Sequence, residues 1–183
     1  MEQSSLAKLK TEIQFQAKNG IDFILSAGIV WLAISYIWTL EDSSYNRSIF
    51  TFMIGAILLP LAFGLSKILR TNWKVKDNPL QPLGLWLNFA QLIYFPFLIF
   101  VLIKYPDYFI MAYAIITGAH LFPYAWFYDE IGYAVWAVII SVGTLIITLN
   151  IEAEKMWIIP LFTSVMLFLL AGLILIGIKK LKG

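Results

Sequence analysis

The sequence predicts an all-helical bundle that threads a membrane six times: a polytopic integral membrane protein whose first four spans read as a tandem duplication of one helical hairpin. Three observations predict it. Of 183 residues, 61% are hydrophobic and only 13% charged, with a mean hydropathy of +0.82, too few charges to clothe a globular surface of this size. The apolar residues gather in runs at about 21–40, 48–69, 83–103, 108–127, 131–149 and 157–178, each near the roughly 20 residues a helix needs to cross hydrocarbon at about 1.5 Å per residue. Polarity does not alternate along these runs, as a membrane barrel would require, so their backbone groups must pair within helices.

Taken in order, residues 1–20 precede the first run and read as a cytoplasmic, interfacial amphipathic segment. Leu6, Leu9, Ile13 and Ala17 share a helical face, Lys8 and Lys10 lie off it, and Asn19-Gly20 is a stop before the first span. A frayed tail is the competing reading, because short helices are marginal by themselves. A polar stretch opens the chain and no small-residue cleavage site follows the first run, which argues against a cleaved leader. The spans fill 21–178 and a basic cytoplasmic tail follows at 179–183. The connectors, Glu41 to Arg47, Arg70 to Pro82, Lys104 to Asp107, Tyr128 to Glu130 and Asn150 to Met156, are too short for an extramembrane domain.

Basic residues orient the spans. Lys8, Lys10, Lys18, Lys67, Arg70, Lys74, Lys76, Lys179, Lys180 and Lys182 fall on the side of the N-terminus; Arg47, Lys104 and Lys155 complete the chain's 13 on the other. Both termini are therefore expected in the cytoplasm, in a cell membrane of the bacterial plasma-membrane kind. Trp38, Tyr105, Tyr108 and Trp157 suit the outer interface, and Trp73, Trp86, Trp126, Tyr128 and Tyr133 the inner one.

The duplication rests on Gly55-Ala56-Ile57-Leu58-Leu59-Pro60-Leu61-Ala62 in the second span and Gly118-Ala119-His120-Leu121-Phe122-Pro123-Tyr124-Ala125 in the fourth, which lie 63 residues apart. The same offset sets Phe23 on Trp86, Ala27 on Ala90 and Trp31 on Tyr94. Such repeats often place a site at their interface, while chance likeness among Gly-, Ala- and Leu-rich segments is the competing account. Pro60, Pro96 and Pro123 each remove a backbone donor and are expected to bend their helices; Pro160 falls in a first turn, where it costs little. Small residues four apart (Ala114 and Gly118; Ala56, Pro60 and Gly64; Ala137 and Ser141) mark faces of close helix contact.

Ionisable groups deep in a bilayer are expensive and mark function by default. The chain has one histidine, His120, about 10 Å from the inner end of the fourth span at 1.5 Å per residue. Asn88 and Gln91 of the third span share its depth, and Tyr113, Thr117, His120 and Tyr124 form one stripe. Asp22 and Ser26, four apart, lie nearer the inner end, with Lys67, Asp129 and Glu130 at the boundary. These residues would line an inward-facing polar vestibule with Asp22, Ser26, Asn88, Gln91, Thr117, His120 and Tyr124 as its ligand-binding groups. The bland reading of the same residues is hydrogen bonding between helices, worth about 0.6 kcal/mol each.

Several chemistries find little support. Cysteine is absent, which removes disulfides and thiolate chemistry, and a lone histidine does not make a metal site, so no cofactor and no metal are expected. No catalytic residues stand out, because the carboxylates lie at span ends, in tails or in connectors. Scattered basic residues argue against a nucleic-acid partner. The lipid bilayer is the expected partner, with a homo-oligomer or another membrane protein as a further option. Six spans, almost no loops and the GAHLFP segment at 118–123 resemble small six-span bacterial membrane-protein families of unknown function, a resemblance that implies no activity. Three functions follow: binding or transport of a small solute or amphiphile through the vestibule; a structural or regulatory subunit docking other membrane helices; and an embedded enzyme acting on a lipid, the least supported.

Overall fold

The computed structural model describes residues 2–180, with side chains over 5–178. Residues 181–183, which carry the end of the expected basic tail, lie outside the described residues. Helix α1 (Glu2–Ala17) ends in a tight left-handed turn over Lys18, Asn19 and Gly20, with φ of 46°, 50° and 68°. Gly20 is required there twice over: its φ suits glycine, and a Cβ would stand 3.0 Å from the Tyr128 hydroxyl. Helix α2 (Ile21–Thr39) then runs unbroken through the first span.

The second and third spans are each two helices in series. Helices α3 (Ser44–Gly55) and α4 (Leu58–Leu69) are separated at Ala56–Ile57, and α5 (Gln81–Leu92) and α6 (Phe95–Lys104) at Ile93–Tyr94. Each break lies two to four residues before a proline, Pro60 or Pro96, whose missing N–H leaves the carbonyl one turn back without its donor. Pro123 stands inside α7 (Phe109–Phe127), which continues through it. The interruptions thus fall in the second helix of one hairpin and the first helix of the next, and do not superpose under the 63-residue offset. Helices α8 (Gly132–Asn150) and α9 (Ile158–Lys180) complete the bundle.

Lipid tails are as apolar as leucine, so close contact between helices must come from small residues and hydrogen bonds. Helix α7 lies along α8 and α2 along α9. A Cβ on Gly118 would stand 2.7 Å from Ser141 Oγ and 2.8 Å from Ile140 Cγ2, and one on Gly28 2.9 Å from the Phe168 ring. The Ser164 hydroxyl donates to the Gly28 carbonyl (2.8 Å) and that of Ser35 to the Trp157 carbonyl (3.1 Å). The face bearing Ala56, Pro60 and Gly64 is exposed instead. Accordingly, the most apolar stretches of the first and fourth spans are 61% and 56% buried, against 17% for the second and third. Spans one and four form the centre, and the broken spans flank it.

Long-range hydrogen bonds gather the two ends. At the end rich in lysine, α1 lies across the connectors: Asn72 N–H donates to the Gln16 carbonyl (2.8 Å), the Asn78 amide to the Leu9 carbonyl (2.9 Å), and Gln14 to the Tyr128 carbonyl. Ile13 is buried there, whereas Leu6 at the far end of the same face is exposed. At the opposite end Trp38 Nε1 donates to Thr51 Oγ1 (3.0 Å), and Arg47 donates to the Trp38 carbonyl. Trp38 is only 1% exposed, so its indole is buried in the bundle and not set in an aromatic belt.

Candidate functional site

Between α2, α4, α5 and α7 lies a chamber of about 80 Å³. Its polar wall is built from Asn88 and Gln91 on α5 and from Thr117, His120 and Tyr124 on α7; Trp31 and Leu58 are among its apolar residues. A second chamber of about 120 Å³ adjoins it toward the lysine-rich end, lined by Asp22, Trp73 and Gln81 among others. The two share Gly20, Phe23, Asn88 and Tyr128 in their walls. The broken spans make this room: α4 leans on α2 and α5 on α7, and the two half-helices hardly meet each other.

Helical spacing explains which groups reach the upper chamber. Thr117, His120 and Tyr124 are three and four apart on α7, and Asn88 and Gln91 three apart on α5, so each set projects from one face. The His120 Nε2 to Tyr124 hydroxyl distance is 3.5 Å. Thr117 Oγ1 is buried without a hydrogen-bond partner, and the Gln91 side-chain amide makes no hydrogen bond with the described residues. Asn88 spends its amide N–H on the Gly84 carbonyl (2.9 Å). Orphan polar groups in an apolar wall cost about 1–3 kcal/mol each unless water or a ligand satisfies them. A water needs roughly 10–15 Å³ of such space, so the upper chamber has room for several waters or one small organic group.

Asp22 stands in the lower chamber, only 1% exposed. Its Oδ2 accepts from the Thr71 hydroxyl and from Trp73 Nε1, both at 2.6 Å, and its Oδ1 from the Phe23 N–H at 3.1 Å. It sits in the first turn of α2, where the helix dipole favours an anion. The 70–82 connector is thereby pinned beneath the bundle, and Trp73 stacks on Phe23 with ring centroids 4.7 Å apart.

Six of the seven expected ligand groups thus line the two chambers: Asp22 the lower, Asn88 both, and Gln91, Thr117, His120 and Tyr124 the upper. Ser26 does not. It is fully buried and its hydroxyl donates back to the Asp22 carbonyl (2.7 Å), the usual one-turn bond of a helical serine. The expected boundary charges also stand elsewhere: Lys67 lies over the Phe63 ring (4.7 Å), Asp129 is exposed, and Glu130 accepts from the Gly132 N–H. Tyr128 and Tyr133 are buried in the protein. The α7–α8 turn folds them inward against Tyr124, and the Tyr133 hydroxyl donates to the Asn19 carbonyl. Burial, and then the neighbouring Tyr124 and Asp22, push the Tyr128 phenol well above its ordinary value of 10.0, so the hydroxyl stays protonated. Sequence reasoning missed Trp73 as a wall residue, though an indole amid the polar residues of a connector was a visible signal.

Chemically the upper chamber donates and accepts hydrogen bonds, and the lower one presents a negative charge among rings. Six helices long and apolar enough to cross a membrane, packed with no strand among the described residues, define a multi-pass helical membrane protein. The chain belongs to the Family of unknown function (DUF7010), whose model matches residues 6–177. Neither a curated protein nor a solved structure matches it.

Proposed function

We propose that this protein binds a small solute or amphiphile in the paired chambers, entered from the lysine-rich, cytoplasmic end of a protein seated in the plasma membrane of a bacterial cell. The observation that carries the reading is the unmet hydrogen-bonding capacity of Thr117 and Gln91 in the polar wall of the upper chamber. His120, half-buried in the same wall, adds a group able to donate or accept. The amphiphile is favoured because the chamber lies between half-helices that hardly meet and whose outer faces carry exposed apolar residues, Leu59 and Phe63 on α4 and Leu85 and Phe89 on α5.

The test is equilibrium binding of radiolabelled monodecanoylglycerol, an uncharged amphiphile with a hydrogen-bonding head, to the full chain in nanodiscs, with empty nanodiscs subtracted. Saturable binding is expected, weakened about tenfold in Gln91→Leu and in His120→Ala, in line with about 1–1.5 kcal/mol for a lost hydrogen bond. Binding no different from that of empty discs, or unchanged in both variants, would sink the proposal. A second reading, a subunit that docks other membrane helices, draws on the exposed small-residue face of Ala56, Pro60 and Gly64; it expects a partner to co-purify in stoichiometric amount.

A further inference from the structure

Among the described residues Asp22 is a buried carboxylate with no cationic partner. Asp22 is 1% exposed, and among the described residues no lysine, arginine or histidine lies within ion-pair distance of it. Lys18, four residues before it, is spent on the Leu69 carbonyl at the end of α4. All three donors to Asp22, the Thr71 hydroxyl, the Trp73 indole and the Phe23 amide, are neutral. A carboxylate offers about four lone-pair positions, so acceptor capacity remains. An anion removed from water without a counter-charge is costly, and a helix N-terminus supplies only a partial positive charge.

Aromatic side chains line the chamber beside this charge. Phe23 and Trp73, stacked on each other, and Phe127 and Tyr128, in contact at 4.8 Å between centroids, all line the chamber that Asp22 helps to wall. Ring faces attract cations, most of all weakly hydrated organic ammonium groups. A negative charge excludes an anionic head from this chamber and favours a cationic head over a neutral one. The upper chamber shares Phe23 and Asn88 in its wall with this one, and its Trp31 and Leu58 offer apolar surface to the rest of an amphiphile.

We infer that the ligand is a cationic amphiphile whose ammonium head sits in the lower chamber against Asp22 and the Phe23–Trp73 stack. This rests on the binding reading above and adds the charge of the ligand to it. The experiment compares radiolabelled decanoylcholine with its uncharged carbon isostere, 3,3-dimethylbutyl decanoate, on the full chain in galactolipid nanodiscs, which carry no competing ammonium group. The wild type is expected to bind the cation at least tenfold more tightly. Asp22→Asn, which keeps an oxygen for Thr71 and Trp73, is expected to abolish that preference by lowering affinity for the cation to that for the isostere. A purely structural Asp22 would lower stability in the variant and leave the ratio intact, which overturns the inference. If the variant does not fold, the wild-type ratio alone decides, and equal affinities overturn the inference. Isostere binding that is lost in Gln91→Leu, with no preference for the cation, would leave the chambers a binding site and remove only the ammonium; no binding of either probe removes both.

Discussion

Single side chains in this protein carry loads that their types alone do not announce. Trp38 and Thr51 are an instance: the buried indole donates to a hydroxyl that is itself committed, as donor, to the Arg47 carbonyl at 2.8 Å. Thr51→Val keeps the shape and removes the acceptor, so the Trp38 N–H is stranded in an apolar setting. A loss of about 1–3 kcal/mol is expected, read as a lower unfolding midpoint in detergent, whereas Thr51→Ser should restore the midpoint to within about 1 kcal/mol of wild type. An unchanged midpoint in Thr51→Val would mean that water replaces the hydroxyl. Asp22 and Ser26 show the same dependence on context. They sit one turn apart on α2, yet one walls a chamber and the other is consumed by its own helix.

At the scale of elements, close helix contact and helix breakage divide the bundle into a tight half and a loose half. The α7–α8 contact depends on Gly118 having no side chain, since a Cβ would meet both Ser141 and the fully buried Ile140 below 3 Å. Gly118→Ala is therefore expected to destabilise by about 1–3 kcal/mol through forced separation of the helices. Gly64, on the exposed face of α4, has open space around its Cβ position, and Gly64→Ala should be neutral or stabilising by up to about 1 kcal/mol through helix propensity. Paired unfolding midpoints of the two variants check this, and equal effects would contradict it. The broken spans are the loose half. Pro60 precedes the 70–82 connector and Pro96 follows it, and the half-helices on its side part to either flank.

For the whole molecule, the expectation to test is that α1, the 70–82 connector and the α7–α8 turn share the cytoplasmic end. The chain has no cysteine, so single replacements report accessibility without background. Lys74→Cys is expected to react with a membrane-impermeant maleimide only in inverted vesicles, and Glu41→Cys and Glu154→Cys only in right-side-out cells. Labelling of Lys74→Cys from outside would reverse the orientation and place the lower chamber at the outer face. The docking of α1 across the connectors gives that end a floor, formed by Ile13, Gln14 and Gln16 against the 70–82 connector and Tyr128.

Sequence by itself determined the number of spans, their helical state and where the chain turns, because hydrocarbon forces every backbone group into a local bond and leaves helix length the only free variable. It also implied that Asn88 and Gln91 project from one helical face and Thr117 and His120 from another, since the period is a property of the helix alone. It could not tell that Ser26 turns back on its own helix, that Tyr128 and Tyr133 fold inward, or that Trp73 walls a chamber from a connector. Nor could it say that Pro60 and Pro96 break their helices while Pro123 does not. Those outcomes were decided by the tertiary structure, because they depend on which neighbours compensate a lost hydrogen bond or fill a given space. That choice is made between segments far apart in the chain and leaves no local mark on it.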